Sequence, residues 1–259
     1  VKRTGGAQEV TGAESVKKVF KLMLSFTVER PLLTVADLAA ELGFPKSSVY
    51  RYVALLRELG MLEETSDGLH RVTLRLLPLA RAALAAASTD PTQVAHGFIE
   101  RVAAETGETT LLMQRVAHHV VAVDIVESPH AVRLAFERGK PMTLHLGSGG
   151  RLLMSAMTHA ERAAYRSERR RSSAGTQDIP TNRELDRIAA EGWVESYGQV
   201  EEGIWGVSAV VRNGSGPVAA LGLAGPERRT LPRRMELIET VRTAAAQLSQ
   251  LLVQAEELR

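Results

Sequence analysis

The sequence predicts an α+β protein in three stretches: a small helical unit ending in a two-stranded ribbon, a helical linker, and a larger unit with an antiparallel sheet between helices. Three observations point there. Apolar residues recur at helical spacing before a tight turn and a further helix. A ribbon signal, Asp67-Gly68 between two short β-prone runs, follows. From Thr109 onward, valine-rich runs with strand character alternate with helical stretches.

A chain of 259 residues suits two ordinary domains. With 44% apolar and 24% charged residues it is too apolar for global disorder. No apolar run reaches the ~18 residues of a membrane span. The first residues, Val1 to Gly6, lead into no apolar stretch of a signal peptide, so a cytoplasmic protein without membrane contact is expected. There is no cysteine, which excludes disulfides, thiol nucleophiles and Cys-ligated metals. The net charge is only +2. Residues 1–90 carry 12 basic and 10 acidic side chains, and the remainder 20 of each. Nucleic-acid binding must therefore rest on placed residues in the first third, because bulk charge does not supply it.

The first ~13 residues read as a loose polar tail. Ser15 can cap a helix in which Val16, Val19, Phe20 and Met23 form the apolar stripe, with Phe26 continuing it and Pro31 marking the exit. Thr34 and Asp37 resemble a capping box for a short helix burying Val35, Leu38, Ala39 and Leu42. Gly43 suits its C-terminal cap, and Pro45 the first position of a third helix running to about Leu59 and stopped at Gly60. Two short strands then flank Asp67-Gly68. Helix, helix, tight turn, helix and ribbon make a winged helix-turn-helix pattern.

The third helix places Val49, Tyr52, Val53, Leu56 and Leu59 on one side. Ser47, Arg51, Ala54 and Glu58 lie opposite, with Tyr50 at the edge and Lys46, Ser47 and Ser48 in the first turn. This chemistry suits a major groove. Arg51 can bond a guanine edge in bidentate fashion, the hydroxyls can reach phosphates or bases, and Lys46 adds a phosphate charge. Thr34 in the capping box and His70 and Arg71 in the ribbon complete the candidate DNA-binding set.

Thr73 to about Ser88 reads as a linker helix, apolar nearly all round, with Leu74, Leu76, Leu77, Leu79, Ala80, Ala83 and Leu84. Such a helix needs cover on several sides, from a second subunit or from its own chain. Asp90-Pro91 starts another helix, with Val94, Phe98, Val102 and Ala103 inward, ending at Gly107. Strands are expected at Thr110–Met113, Val120–Val126 and Val132–Phe136. A helix follows the Gly147–Gly150 loop. A polar loop from Arg166 to Thr181 comes next, with Arg169-Arg170-Arg171-Ser172-Ser173 and Gly175, and then a helix from Thr181 to Ala190. Three strands follow near Trp193–Tyr197, Gly206–Arg212 and Val218–Leu223, the last two joined at Asn213-Gly214. A long helix from about Pro232 ends the sequence.

From Ser15 to Leu252 the chain resembles the IclR family of bacterial transcriptional regulators. Four ordered landmarks carry the resemblance: Leu38 through Arg51, Thr106-Gly107-Glu108-Thr109, Leu144-His145 through Gly149-Gly150-Arg151, and Glu201 through Ala209 followed by Ala224-Gly225-Pro226. The resemblance implies a winged helix-turn-helix domain over residues 13–75, a linker helix over 76–90, and a GAF-like effector-binding and oligomerisation domain over 91–259. It also implies a homodimer, in some members a dimer of dimers, on a palindromic or pseudo-palindromic double-stranded operator, with a small-molecule effector and no cofactor or metal.

Aligned on these motifs, Ser148 and Gly149 match loop positions that line the family's effector pocket. Ala209, Gly222 and Ala224 match sheet positions that carry small polar side chains in relatives. Leu134 joins the candidate effector-binding set, and Trp205 either lines the pocket or fills core. With Gly or Ala at all three sheet positions, the expected effector is amphipathic: a carboxylate at the loop and an apolar or aromatic body over the sheet. An enzyme is the main alternative from another class. The seven histidines show no HExxH or similar ligand spacing, and no G-x-S-x-G or Walker loop is present, so no catalytic residue is assigned. A winged-helix interaction module without DNA binding is the second alternative.

Overall fold

A computed structural model describes residues 13–27, 29–86, 91–171 and 179–257. The tail expected over the first residues, the ends of the helices expected at Ser88 and Asp90, and Ser172, Ser173 and Gly175 lie outside the described residues, as do the side chains of Ala83 and Leu84. The chain forms two compact units, Val1–Ala86 and Ala87–Arg259.

The first unit contains α1 (Ala13–Leu24), α2 (Val35–Leu42), α3 (Lys46–Glu58), β1 (Leu62–Glu64), β2 (His70–Val72), a 3-10 turn at Leu74–Leu76 and α4 (Leu77–Ala86). Helix α1 begins before Ser15, so Ser15 is not its cap. Its buried stripe is Leu22 with half-buried Val19, Met23 and Phe26, whereas Val16 and Phe20 are exposed. The helical period holds, and the buried face lies about 60° further round. Helix α2 matches its expected caps. Thr34 Oγ1 accepts from the Asp37 amide at 3.0 Å, Asp37 Oδ2 accepts from the Thr34 amide at 2.9 Å, and Gly43 closes the helix at φ 65°. Pro45 is the N-cap of α3, one place earlier than expected. Val49, Tyr52, Val53 and Leu56 of α3 pack with Leu22, Leu33, Val35, Leu38 and Leu62 as one core, while Leu59 is exposed. The wing pairs Leu62 with Val72 and Glu64 with His70, joined by a five-residue loop, Thr65 to Leu69, in which Gly68 takes φ 74°. The loop closes through Thr65 N to Leu69 O and Gly68 N to Thr65 O, in place of a two-residue turn at Asp67-Gly68. The linker opens with the 3-10 turn capped by Thr73 Oγ1, so the regular helix starts only at Leu77. Leu74, Leu77 and Leu79 are exposed along it.

The second unit contains α5 (Pro91–Thr106), β3 (Thr109–Val116), β4 (His119–Val126), β5 (Pro141–Thr143), α6 (Gly147–Ser155), α7 (His159–Arg171), α8 (Asn182–Glu191), β6 (Trp193–Tyr197), β7 (Ile204–Asn213), β8 (Gly216–Pro226), α9 (Glu227–Thr230) and α10 (Arg234–Glu257). One six-stranded antiparallel sheet runs in the order β5-β4-β3-β8-β7-β6. Each face carries its own core. Helices α5 and α10 cover one face, with Ala95, Ile99, Val102, Val241, Ala244 and Leu248 against Trp205, Val207, Ala209, Val211, Leu221 and Leu223. Helices α6, α7 and α8 cover the other, with Leu152, Leu153, Met154, Tyr165, Leu185 and Ile188 against Leu111, Met113, Val194 and Ala220. Alternate residues of each central strand serve opposite cores, as the two-residue period requires.

Several elements depart from expectation. Val132–Phe136 is irregular, and the short edge strand after β4 is Pro141–Thr143 instead. Thr109 Oγ1 bonds the Leu134 carbonyl and Arg229 Nη1 the Val132 carbonyl, so side chains hold the backbone groups a ladder would have used. Arg166–Arg171 continues α7 and is not loop. Val94 is exposed while Ala95 and Ile99 face the core of α5. The β7–β8 turn centres on Gly214 and Ser215, one residue beyond the expected pair.

Glu108, just before β3, is fully buried and accepts both Arg229 Nε at 2.5 Å and Nη2 at 2.6 Å. A methyl group on Gly225 would collide with that carboxylate, so the bare backbone of β8 makes room for the ion pair. Among the described residues, no helix is long and apolar enough to cross a membrane.

Candidate functional site

Two surfaces carry the candidate residues, one in each unit. In the first unit Lys46, Ser47, Tyr50 and Arg51 are exposed on α3 and Ser48 is half-buried. The α3 N-terminus has no side-chain cap; the Ser48 N–H donates to the Pro45 carbonyl at 2.9 Å, which leaves the Lys46 and Ser47 N–H groups at the helix end to face a phosphate. Arg51 is held to one side: its guanidinium lies 5.5 Å from the Tyr52 ring centroid. The Arg51 hydrogen bond also lowers the pKa of the Tyr52 phenol. Such stacking limits the rotamers of a long side chain before it meets a base.

The remaining three candidates sit differently. Arg71 is exposed on the wing and pairs with Glu63 at 2.5 Å. Thr34 spends its hydroxyl on Asp37, donating to Oδ2 at 2.6 Å and accepting the amide. His70 is buried, which corrects its assignment as a DNA contact. Strand alternation turns it inward while Arg71 turns outward. Its backbone bridges to Leu33 in both directions, at 2.8 and 3.0 Å, tying the approach to α2 onto the wing. Burial lowers its pKa, and its Nδ1 has no hydrogen-bond partner.

In the second unit a cavity of about 360 Å³ lies between α6 and the sheet. That is the small end of the ~300–1,000 Å³ typical of small-molecule sites. The sheet leaves this space because small residues share rungs of the ladder. Gly222 is flanked by Leu111 and Ser208, and Gly206 by Ser196 and Ala224. Above them the glycines of the expected loop form the first turn of α6 itself. Gly149 rests against the Met113 thioether with no room for a methyl group.

The lining is mostly apolar, from Leu111, Met113, Val120, Leu134, Phe136, Met142 and Ile204. Its hydrogen-bonded polar groups gather at the start of α6. Ser148 N donates to Ser196 Oγ at 3.0 Å, Gly147 N donates to Gln199 Oε1 at 3.2 Å, and the Ser148 and Ser208 hydroxyls lie 2.9 Å apart. Among the described residues, none that lines the chamber is charged.

Of the candidate effector residues, Leu134, Ser148, Gly149 and Ala224 line the chamber. Gly222 lies in its floor, backing Ser208 and the Met113 methyl. Trp205 and Ala209 do not belong to it. Both are buried in the opposite core, and Trp205 Nε1 donates to Glu195 Oε2 at 3.1 Å. The error is a one-residue slip along β7, which exchanges the two faces of a strand. It hid Ser208, the buried hydroxyl at the position next to Ala209. The sheet floor is therefore more polar than the alanines and glycines suggested. Ser196 and Gln199 were missed too. For Ser208, a lone hydroxyl between Val207 and Ala209 was the available signal; Ser196, next to Glu195, carried none. Among the described residues no group of three or more His, Asp or Glu side chains is placed to hold a metal ion.

Comparison with known proteins covers both units. A family described as the bacterial transcriptional regulator IclR C-terminal domain matches residues 83–250. The IclR helix-turn-helix domain matches residues 15–66. The transcriptional regulator KipR of Bacillus subtilis is 30% identical over 241 residues, covering 90% of this chain and 96% of that protein. An IclR homologue from Microbacterium hydrocarbonoxydans, solved in complex with 4-hydroxybenzoate, superposes with a TM-score of 0.71 at 24% identity, covering 92% of this chain and 98% of that one. An IclR family regulator from Brucella abortus gives 0.71 at 21% identity, covering 94% and 93%.

Proposed function

The chain belongs to the IclR family of bacterial transcriptional regulators, and from that premise we propose how it works. It acts in the cytoplasm as a homodimer that sets two α3 helices on the half-sites of a pseudo-palindromic operator. Its input is a small amphipathic monocarboxylic acid with an apolar or aromatic body, held in the chamber under α6. It is a regulator and not an enzyme.

One observation carries the effector class: an uncharged, mostly apolar chamber whose polar groups converge on one helix N-terminus. The positive end of the helix and its N–H groups favour a single carboxylate. A second carboxylate or an ammonium would be buried without a partner, at a cost of several kcal/mol. The relative crystallised with 4-hydroxybenzoate supports the same class. The exposed leucines of the linker, Leu74, Leu77 and Leu79, support dimerisation, because a second copy gives such a surface its cover. Ligand and operator are coupled only if the acid binds two subunit arrangements with different affinity, and the linker between the units is the path.

Calorimetry on the full-length protein with benzoate, 4-hydroxybenzoate, hexanoate, succinate and glucose tests this. Monoacids bind and shift the affinity for operator DNA, found by footprinting upstream of the protein's own gene. Binding of succinate or glucose in preference to every monoacid overturns the effector class.

A further inference from the structure

We propose that Gln199 is an internal stand-in for the acid group of the effector, and that the strap carrying it makes the chamber selective for one negative charge. This rests on the chamber being the effector site. Leu146, the N-cap residue of α6, gives no side-chain cap, so the first N–H groups of the helix turn to partners elsewhere in the chain. Gly147 N finds Gln199 Oε1 and Ser148 N finds Ser196 Oγ.

The two partners differ in what holds them. Ser196 is buried on β6, paired with Gly206 in the ladder, and its hydroxyl has one bond of reach. Gln199 is half-buried on the connection from β6 to β7, between Gly198 at φ 58° and Gly203 at φ 75°. The base of that connection is pinned by Gly198 N to Ile204 O at 2.8 Å and by Glu227 N to Gly203 O at 2.8 Å. Between the pins, Gln199 and Val200 both line the chamber. Val200 is 60% exposed, and its Cγ2 would stand 3.0 Å from a methyl group on Gly147. The strap therefore closes over the helix end with one polar and one apolar side chain.

A ligand carboxylate competes with the Gln199 amide oxygen for the Gly147 N–H. Its hydrogen bond is charge-assisted and roughly twice as strong as the neutral one. A neutral ester or amide gains no such advantage, so only an acid repays moving Gln199 aside. Since no lining residue among those described is charged, this exchange is where the chamber distinguishes an anion from its neutral isostere.

The test uses the full chain as wild type, Gln199→Ala and Gln199→Glu. Hydrogen exchange of the Gly147 amide is followed by NMR, with calorimetry against 4-hydroxybenzoate and its methyl ester. In Gln199→Ala the Gly147 amide exchanges faster and the acid binds about three- to tenfold tighter, the worth of one neutral hydrogen bond. In Gln199→Glu the acid binds at least about tenfold weaker through like-charge repulsion, while the ester changes by less than about twofold. Unchanged Gly147 exchange in Gln199→Ala overturns the stand-in whether or not any ligand binds. Equal losses of acid and ester in Gln199→Glu overturn the charge selectivity. Wild type that binds neither probe, with Gly147 exchange still responding to Gln199, supports the stand-in and counts against the effector class alone.

Discussion

The two units put their candidate functional residues on opposite sides of their cores. The N-terminal unit turns its hydroxyls and cations outward from α3 and keeps one small core behind them. The C-terminal unit turns its polar groups inward, into a chamber between α6 and a sheet that has a core on each face. A reader of DNA must meet a partner larger than itself, whereas a sensor of a small molecule must enclose one. The difference teaches where stability and function are separable. On α3 a contact residue can be removed without touching the core. In the chamber, Met113 and Leu111 both pack the core and line the site.

The comparison can be broken most forcefully at the small core. Leu38 is fully buried, and Leu38→Ala should cost about 2–5 kcal/mol, a large share of what so small a unit possesses. Operator binding should be lost. Both tryptophans, Trp193 and Trp205, lie in the C-terminal unit, so fluorescence-detected unfolding and acid binding should stay as in wild type. A tryptophan transition lowered by the same amount would show that the units do not unfold separately.

Next in size is Glu108→Gln in the C-terminal unit. It breaks the buried pair with Arg229 and should lower the tryptophan-detected stability by about 3 kcal/mol. Operator affinity without ligand should hold wherever the protein remains folded. Smaller again are Tyr50→Ala and Arg51→Ala. Each should weaken operator binding by about 1–3 kcal/mol, roughly 5- to 150-fold, with acid binding unmoved in calorimetry. Full operator affinity in both variants would remove α3 as the reading helix.

The smallest expected effect is on pH, and its sign differs between the units. Burial depresses the pKa of His70, so the unfolded chain takes up a proton that the folded reader refuses. The reader's stability is whole above about pH 6.5 and falls as pH drops below it. His96 is the reverse. Asp124 lies 2.7 Å from its Nδ1, and that hydrogen bond raises its pKa. Its contribution is present below about pH 6.5 and is lost as pH rises through the raised value. His96 is half exposed, which keeps the effect modest. Denaturant unfolding at several pH values, followed by circular dichroism and by tryptophan fluorescence, should separate the two slopes. His70→Leu should flatten the first and His96→Gln the second.

Legibility followed the same division. On α3 the 3.6-residue period separates an apolar face from a polar one, so Lys46, Ser47, Tyr50 and Arg51 could be picked as outward residues before any fold was known. In the second unit the sheet is buried on both faces, and its strands offer no polar side by which to orient them. The motif from Glu201 to Ala209 is legible, but the pattern within it does not tell that Ser208 faces the chamber while Trp205 and Ala209 face the opposite core. His70 misled for a related reason: a polar residue on a ribbon invites a contact role, yet alternation and the Leu33 bridge turn it inward.

By itself the sequence determined the helix, helix, turn, helix and ribbon order of the first unit, the helix caps at Thr34 and Gly43, the outward polar face of α3, and the glycines that open α6. These depend on neighbours within one or two turns of chain, so local chemistry suffices. Only the tertiary structure decided which face of β7 meets α6, how Gly206, Gly222 and Ala224 open a chamber, and that Gln199 reaches back to Gly147. Those outcomes depend on strand register and on groups about 50 residues apart. A shift of one position reverses every side chain while leaving the local pattern unchanged.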